Sequence, residues 1–281
     1  MGKGWIALDI DGTVVEGLKT VPAPVAETLD KLYTSGWKVL FITGRPFASA
    51  EKALTPISFP YYLAAQHGAD IVEMPSRKVF EQCYLDSEVL YHAEKAYREE
   101  AEEFLVYAGF VKGDFCYYRP HRFSPAYASY FTMMQGLCPQ PWQPLQSFDV
   151  LQGSRFPLIK CLGDEKTVRK VAEKLRECPG IEVVVIRDMG GDPRNFLALV
   201  TDREATKGNA LHRILAKAGR AKEERVIAAG DDHNDLSMLR EADVRIVIEH
   251  APPEVLAEAD IIAERPSKMG LIRALAEATG E

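Results

Sequence analysis

No stretch of this 281-residue chain approaches the roughly 18–20 consecutive apolar residues that a bilayer-spanning helix needs. The N-terminus carries only Lys3 as a charge before a short apolar run, without the long apolar core of a secretory signal. Positive charge is scarce: the formal net charge is −7. General nucleic-acid binding needs clustered Lys and Arg to displace counterions, and an anionic membrane surface needs the same. The five cysteines, Cys83, Cys116, Cys138, Cys161 and Cys178, are odd in number and contain no C-x-x-C pair. That spacing argues against a disulfide frame or a zinc site and for reduced, mostly buried thiols. Internal repeats and low-complexity tracts are also missing. These absences lead to the expectation of a cytoplasmic protein with no nucleic-acid and no membrane partner.

What is present is an ordinary apolar fraction of 47% and length for one large domain or two smaller ones. The first part alternates strand and helix. Ile6–Ile10 and Lys38–Thr43 read as buried strands, Tyr61–Ala65 as a third. Between the first two, Val25, Leu29 and Leu32 recur at helical spacing over residues 24–35. Pro22 and Pro24 suit that helix's start and Gly36 its end. From about residue 75 the rhythm changes. Residues 85–108 read as a long charged helix, with Glu94–Glu103 a solvated face. Residues 113–145, dense in Pro, Tyr, Phe and Met, take no clear assignment. Phe148–Gly153, Leu158–Leu162 and Glu182–Arg187 look like strands and Asp164–Arg176 like a helix. The βα rhythm then resumes with strands at Phe196–Thr201, Val226–Gly230, Val244–Ile248 and Ile261–Ala263, and helices at Lys207–Ala218, Asn234–Ala242, Pro252–Ala259 and Leu271–Ala278. Strands alternating with helices imply a parallel sheet with right-handed crossovers. The expected architecture is α/β: a Rossmann-like parallel sheet core, residues 1–75 and 193–281, with an inserted α+β domain, residues 76–192. The expected edges are Met74–Lys78 and Met189–Arg194, where Pro and Gly cluster.

In an open parallel sheet, ligands bind outside the carboxyl ends of the strands. The first strand ends in Asp9-Ile10-Asp11-Gly12-Thr13, two carboxylates one residue apart. Their mutual repulsion is relieved if a divalent cation binds there or if one of them holds a proton. Both conditions suit phosphoryl transfer in which one Asp attacks phosphorus and the other moves a proton. The second strand ends at Thr43-Gly44-Arg45, another at Asp231-Asp232, followed by Asn234 and Asp235. Lys207 opens a helix. Each segment alone reads equally as a turn, a helix start or an N-cap. Their joint occurrence at the ends of apolar runs points to one crevice. Magnesium takes about six oxygens, and Asp9, Asp231 and the Asp11 carbonyl can supply three. The Thr43 hydroxyl, the Gly44 N–H, Lys207 and the Asn234 amide can hold phosphate oxygens. Asp235 can orient Lys207 or a metal-bound water.

This order of segments resembles the haloacid dehalogenase-like phosphohydrolase superfamily. Gln66-His67-Gly68-Ala69 is similar to the Asn-Gly-Ala turn of its Cof-like branch, with His67 in place of the usual Asn. The insertion is similar to that branch's C2-type cap. The resemblance implies Asp9 as nucleophile and Mg²⁺ ligand, Asp11 as general acid/base with its carbonyl on Mg²⁺, and Asp231 completing the metal site. It implies Gly12, Thr43, Gly44, Lys207 and Asn234 around the phosphate, with Asp235 in support. Arg45 and Arg187 are candidate substrate contacts. The absence of membrane spans excludes an ion-pumping ATPase using similar chemistry.

The implied activity is Mg²⁺-dependent hydrolysis of a small phosphorylated metabolite, a sugar phosphate first, through an aspartyl-phosphate. A phosphomutase of the phosphomannomutase type would share the motifs but need a bisphosphate activator. A silent phospho-ligand sensor would bind without turnover, and would have no use for both Asp9 and Asp11. Within the insertion, Cys116–Arg122 mixes aromatic and basic residues and reads as a surface loop or a sugar contact.

Overall fold

The computed structural model describes residues 2–17, 19–125, 127–137, 139–187 and 195–281. The first stretch runs β1 (Gly4–Leu8), α1 (Ala23–Thr34), β2 (Trp37–Ile42), α2 (Phe47–Ala53), β3 (Tyr61–Ala65), β4 (Asp70–Met74) and β5 (Lys78–Gln82). The middle holds β6 (Leu85–Asp86), α3 (Glu88–Ala96), β7 (Phe104–Tyr107), β8 (Cys116–Tyr118), α4 (Tyr127–Leu137), β9 (Trp142–Pro144), β10 (Arg155–Phe156), β11 (Leu158–Asp164), α5 (Glu165–Arg176), β12 (Ile181–Arg187) and β13 (Asn195–Asp202). The last stretch is α6 (Lys207–Lys217), β14 (Arg225–Gly230), α7 (Leu236–Arg240), β15 (Val244–Ile248), α8 (Pro253–Leu256), β16 (Ile261–Ala263) and α9 (Gly270–Thr279). Two compact units result. One comprises residues 1–45, 50–81 and 206–281; the other comprises residues 46–49 and 82–205.

The first unit is built on an eight-stranded sheet in the order β16-β15-β14-β1-β2-β3-β4-β5. Every residue of β1 is buried, as a central parallel strand covered on both faces requires. Strands β1, β2, β3, β14, β15 and β16 pair in parallel, so their carboxyl ends lie on one edge. Helix α1 buries Val25, Leu29 and Leu32, and α6 buries Ala210, Leu211, Ile214 and Leu215. The sheet is not parallel throughout: β4 runs antiparallel to β3. Only four residues separate those two strands, whereas a parallel return needs a crossover of about a dozen. Polar Glu73, Lys78, Glu81 and Gln82 mask β4 and β5 in the sequence.

The second unit carries a six-stranded sheet, β12-β13-β11-β7-β8-β9, and a separate β6–β10 ladder. Its pairs are antiparallel except β8 with β9. Strict alternation sends Phe104 and Val106 to one face, against Val168, Val171 and Leu175 of α5 and Val89, Leu90 and Ala93 of α3. Leu105 and Tyr107 face the other way, against Tyr127, Tyr130 and Phe131 of α4. Among the described residues no helix is long and apolar enough to cross a membrane. Cys116 and Cys161 are buried, Cys83 and Cys178 half-buried; Cys138 and the edge expected over 189–194 lie outside the described residues.

Three expectations fail in this region. Residues 85–108 are not one helix: α3 stops at Ala96, and Phe104–Tyr107 joins the sheet. Continuing α3 would place Glu99, Glu100, Glu102 and Glu103 at the negative end of the helix dipole. Nor is Glu94–Glu103 wholly a solvated face, because the Glu103 side chain is fully buried. Glu103 takes Arg119 through both oxygens and Arg122 at 3.4 Å, while Glu94 accepts a second branch of Arg119 at 2.7 Å. Phe148–Gly153 is a 3₁₀ turn over Phe148–Leu151, because the Ser147 hydroxyl accepts the Asp149 N–H and closes it. In the last stretch, the helix expected from Asn234 begins instead with a 3₁₀ turn, His233–Asp235, capped by Asp232.

Phe104 is fully buried, with ring centroids 5.0 Å from Phe148 and 5.9 Å from Tyr97. We expect Phe104→Ala to lower stability by about 3–5 kcal/mol in urea unfolding, through the cavity it leaves. A loss under about 1 kcal/mol would show that this cluster does not hold the second unit together.

Candidate active site

The chain leaves β1 still paired: Asp9 N–H donates to Ala229 O on β14 at 3.0 Å. This fixes the Asp9 carboxylate, 4% exposed, at the strand tip. The loop then closes through Val14 N–H and Val15 N–H to Ile10 O. Gly12 has φ +79°, and a Cβ there would fall 2.1 Å from Asp231 Oδ2. Only glycine permits both the turn and that approach. Thr13, wholly buried, donates its hydroxyl to Asp231 Oδ1 at 2.9 Å.

Lys207, 2% exposed at the start of α6, joins the tips. Its Nζ donates to Asp9 Oδ1 at 2.5 Å and to Asp235 Oδ1 at 2.6 Å. The other Asp235 oxygen accepts the N–H groups of Asp231 and Asp232, each at 3.0 Å. Burial pushes the Asp9 carboxyl well above the usual carboxylate range; Lys207 opposes that, and Asp235 and Asp231 add to it. Asp231 is raised by burial and Asp235, against hydrogen bonds from Thr13 and His250. Burial would depress the Lys207 ammonium, yet Asp235 and Asp9 hold it above the usual lysine range.

Oxygens of Asp9, Asp231 and Asp235 lie within 4.8 Å of one another. Three crowded carboxylates against one ammonium leave negative charge uncompensated, and this donor set fits a hard divalent cation. Asp235 carries the most hydrogen bonds of the three, one oxygen on Lys207 and the other on two backbone N–H groups. Asp9 Oδ2 accepts no hydrogen bond among the described residues.

The second tip lies beside the first. Thr43 is wholly buried, and its hydroxyl oxygen accepts Arg45 N–H at 3.1 Å, leaving the hydroxyl proton to donate. Gly44 N–H donates to no described residue. Arg45 grips Asp11 through Nε at 2.7 Å and Nη2 at 2.6 Å, and Nη2 also donates to Gly17 O at 2.9 Å. Asp11 is 46% exposed at its side chain and stands outside the carboxylate trio.

The first unit thus brings together Asp9, Asp11, Gly12, Thr43, Gly44, Arg45, Lys207, Asp231 and Asp235. Asn234 sits exposed in the adjoining turn, its side chain making no hydrogen bond among the described residues. Arg187 belongs to the second unit, on β12, with its guanidinium 5.7 Å from the Phe196 ring centroid. Sequence reasoning missed His250, whose Nε2 lies 3.1 Å from Asp231 Oδ2. It stands two residues past the tip of β15, the neighbour of β14, so the strand-tip argument could have found it. Gln66, in the turn after β3, has a fully buried side chain with neither amide atom partnered among the described residues.

Residues 6–275 match the haloacid dehalogenase-like hydrolase family. YxeH of Bacillus subtilis (strain 168), a protein named as a candidate phosphatase, is 23% identical over 97% of this chain and 97% of its own. A haloacid dehalogenase-like hydrolase from Bacteroides thetaiotaomicron superposes with TM-score 0.80 at 23% identity, over 98% of this chain and 99% of that one. A subclass IIB sugar phosphatase superposes with TM-score 0.73 at 20% identity, over 99% of both chains. The chain belongs to the haloacid dehalogenase-like hydrolase family.

Two outcomes follow from this geometry. Gly12→Ala places a methyl against Asp231. We expect it to lower stability by about 1–3 kcal/mol, and activity by more than about tenfold through the displaced carboxylate. Wild-type values for both would refute the close approach. The second outcome concerns pH. Burial, and then Lys207, lower the His67 imidazole to about 4 from 6.5. The unfolded chain therefore binds a proton that the folded one refuses, so His67 contributes stability above pH 6.5 that is lost as pH falls toward 4. Asp9 has the opposite sign: its raised carboxyl contributes stability at low pH that is lost as pH rises through its folded value. Urea midpoints between pH 7 and 4 should fall less steeply in His67→Asn than in the wild type. Parallel curves would show that His67 is not held neutral.

Proposed function

We propose that the protein hydrolyses the phosphate monoester of a small metabolite, a sugar phosphate foremost, through a phosphorylated Asp9. The observation that carries this reading is the buried Asp9 carboxylate, held by Lys207 with its second oxygen unengaged among the described residues. A desolvated, positioned carboxylate is suited to in-line attack on phosphorus. Asp9 Oδ2 bonds to phosphorus as the phosphorus–oxygen bond to the leaving group breaks, and Asp11 gives its proton to the departing oxygen. Asp11 then takes a proton from water as the water oxygen bonds phosphorus and the Asp9–phosphorus bond breaks. Asp11 must release Arg45 to do either, because both its oxygens lie in that pair.

Thr43, Gly44 and Lys207 hold the non-reacting phosphoryl oxygens, with Gly12 and Asn234 beside them. These donors are fixed before the reaction, so they stabilise the developing charge without reorganising. Asp9, Asp231 and the Asp11 carbonyl would hold Mg²⁺, with Asp235 orienting Lys207. The ion, when bound, supplies positive charge to the phosphoryl oxygens. The sugar-phosphate assignment is supported by the neighbour of that description.

Phosphate release from a panel of phosphorylated sugars, nucleotides and cofactors tests the proposal. We expect release with Mg²⁺, none with chelator, and a loss above about a hundredfold in Asp9→Asn. Chelator-resistant release would sink the metal assignment. Asp9→Asn within about tenfold of wild type would sink the nucleophile. Activity dependent on a sugar bisphosphate would instead identify a mutase.

A further inference from the structure

The turn after β3 is strained over consecutive residues. Gln66, His67 and Gly68 have φ of 48°, 59° and 93°. Glycine adopts such values freely, but two successive residues with side chains do so only where their surroundings hold them. The surroundings here are the loop at the tip of β2. His67 N–H donates to Thr43 O at 2.8 Å, and Gln66 N–H donates to Arg45 O at 2.9 Å. The turn is therefore fastened on both sides of Gly44. The His67 ring fills the space over that glycine: a Cβ on Gly44 would meet His67 Cε1 and Nε2, each at 2.9 Å.

The ring is half-buried, and its nitrogens make no hydrogen bond among the described residues. Beside it, the Gln66 amide is fully buried with neither polar atom partnered. Buried polar groups are almost always satisfied, and an exception calls for an explanation, a functional role among them. Burial and the nearby Lys207 charge favour the neutral ring. A neutral imidazole offers one N–H donor and one acceptor nitrogen.

We propose that His67 contacts the substrate, its imidazole donating an N–H to a non-reacting oxygen of the phosphoryl group bound by Thr43, Gly44 and Lys207. This rests on the phosphatase reading of the same loop and adds a donor from a strand which that reading does not use. The neutral ring stands near Lys207 without like-charge repulsion, and the fastened turn aims it before substrate arrives. The strained backbone is thereby accounted for, since a relaxed turn would not hold the ring over Gly44.

Two variants separate the donor from the turn. His67→Gly removes the ring and relaxes the backbone. His67→Asn keeps an amide N–H and tolerates the left-handed conformation. The readouts are calorimetric binding of orthovanadate, a phosphate mimic, and kcat and KM on the best panel substrate, with thermal melting as the folding check. We expect His67→Gly to bind vanadate about tenfold to a hundredfold more weakly, as for loss of a hydrogen bond to a charged group. kcat/KM should fall in parallel, and His67→Asn should stay within a few-fold of wild type. Unchanged vanadate affinity in His67→Gly would overturn the assignment, and so would an Asn variant as weak as the Gly one. A wild type that binds no vanadate would overturn the phosphatase reading, and this inference with it. That result is distinct from a wild type that binds well and a variant that binds equally.

Discussion

The Lys207 ammonium is the interaction on which the site depends. It lies between Asp9 and Asp235 in a place that admits almost no water. Burial favours the neutral carboxyl of Asp9, and a protonated carboxyl is a far weaker nucleophile than a carboxylate. Lys207 opposes that effect of burial on Asp9, and in the proposed reaction it would favour the carboxylate that attacks. Removing one partner of such a buried group typically costs about 3–5 kcal/mol, because the remaining charges lose their compensation. Asp235 closes the arrangement. One oxygen anchors the lysine and the other takes two backbone N–H groups of the β14 loop, so the lysine's position and that loop's shape are a single constraint.

The sheet supplies the rest. Parallel pairing of β2, β1 and β14 places three strand tips side by side, so residues more than 200 positions apart in sequence become neighbours. Gly12 and Gly44 act by what they lack: one admits Asp231, and the other admits the His67 ring. Two polar groups stand at the edge of this assembly, Asp11 gripped by Arg45 and His67 aimed by a strained turn. They differ in how they are held: Asp11 is paired through its side chain with Arg45, whereas the His67 turn is fastened by backbone hydrogen bonds to Thr43 and Arg45.

Much of this was legible in the chain. Apolar runs ending in Asp9, Thr43 and Asp231 marked both the strands and the candidate site at their tips, because a buried strand that ends in polar residues leaves that pattern. α5 was legible too, since Val168, Val171 and Leu175 keep helical spacing and Asp164 caps its start. The second unit was harder. Its four glutamates over 99–103 look like a helix surface, and only the pairing of β7 with β11 shows that the chain has turned into a sheet. α4 carries aromatic and sulfur side chains with little amphipathic pattern, and its place is set by the face that Leu105 and Tyr107 present to it. β5 is a polar edge strand, and the antiparallel direction of the buried β4 follows from a turn too short for a crossover.

The sequence by itself determined the α/β class, the strands that carry chemistry and the identity of most groups at their tips. Those features rest on local patterns, apolar runs and turn residues, that a chain displays without folding. Only the tertiary structure decided which charges meet. It placed Asp235 rather than the Asp11 side chain with Asp9 and Asp231, drew Arg45 onto Asp11, and brought His250 to Asp231 and His67 over Gly44. These pairings depend on strand order and on where buried charge can be compensated. Both are properties of the packed sheet, and no local stretch of sequence contains them.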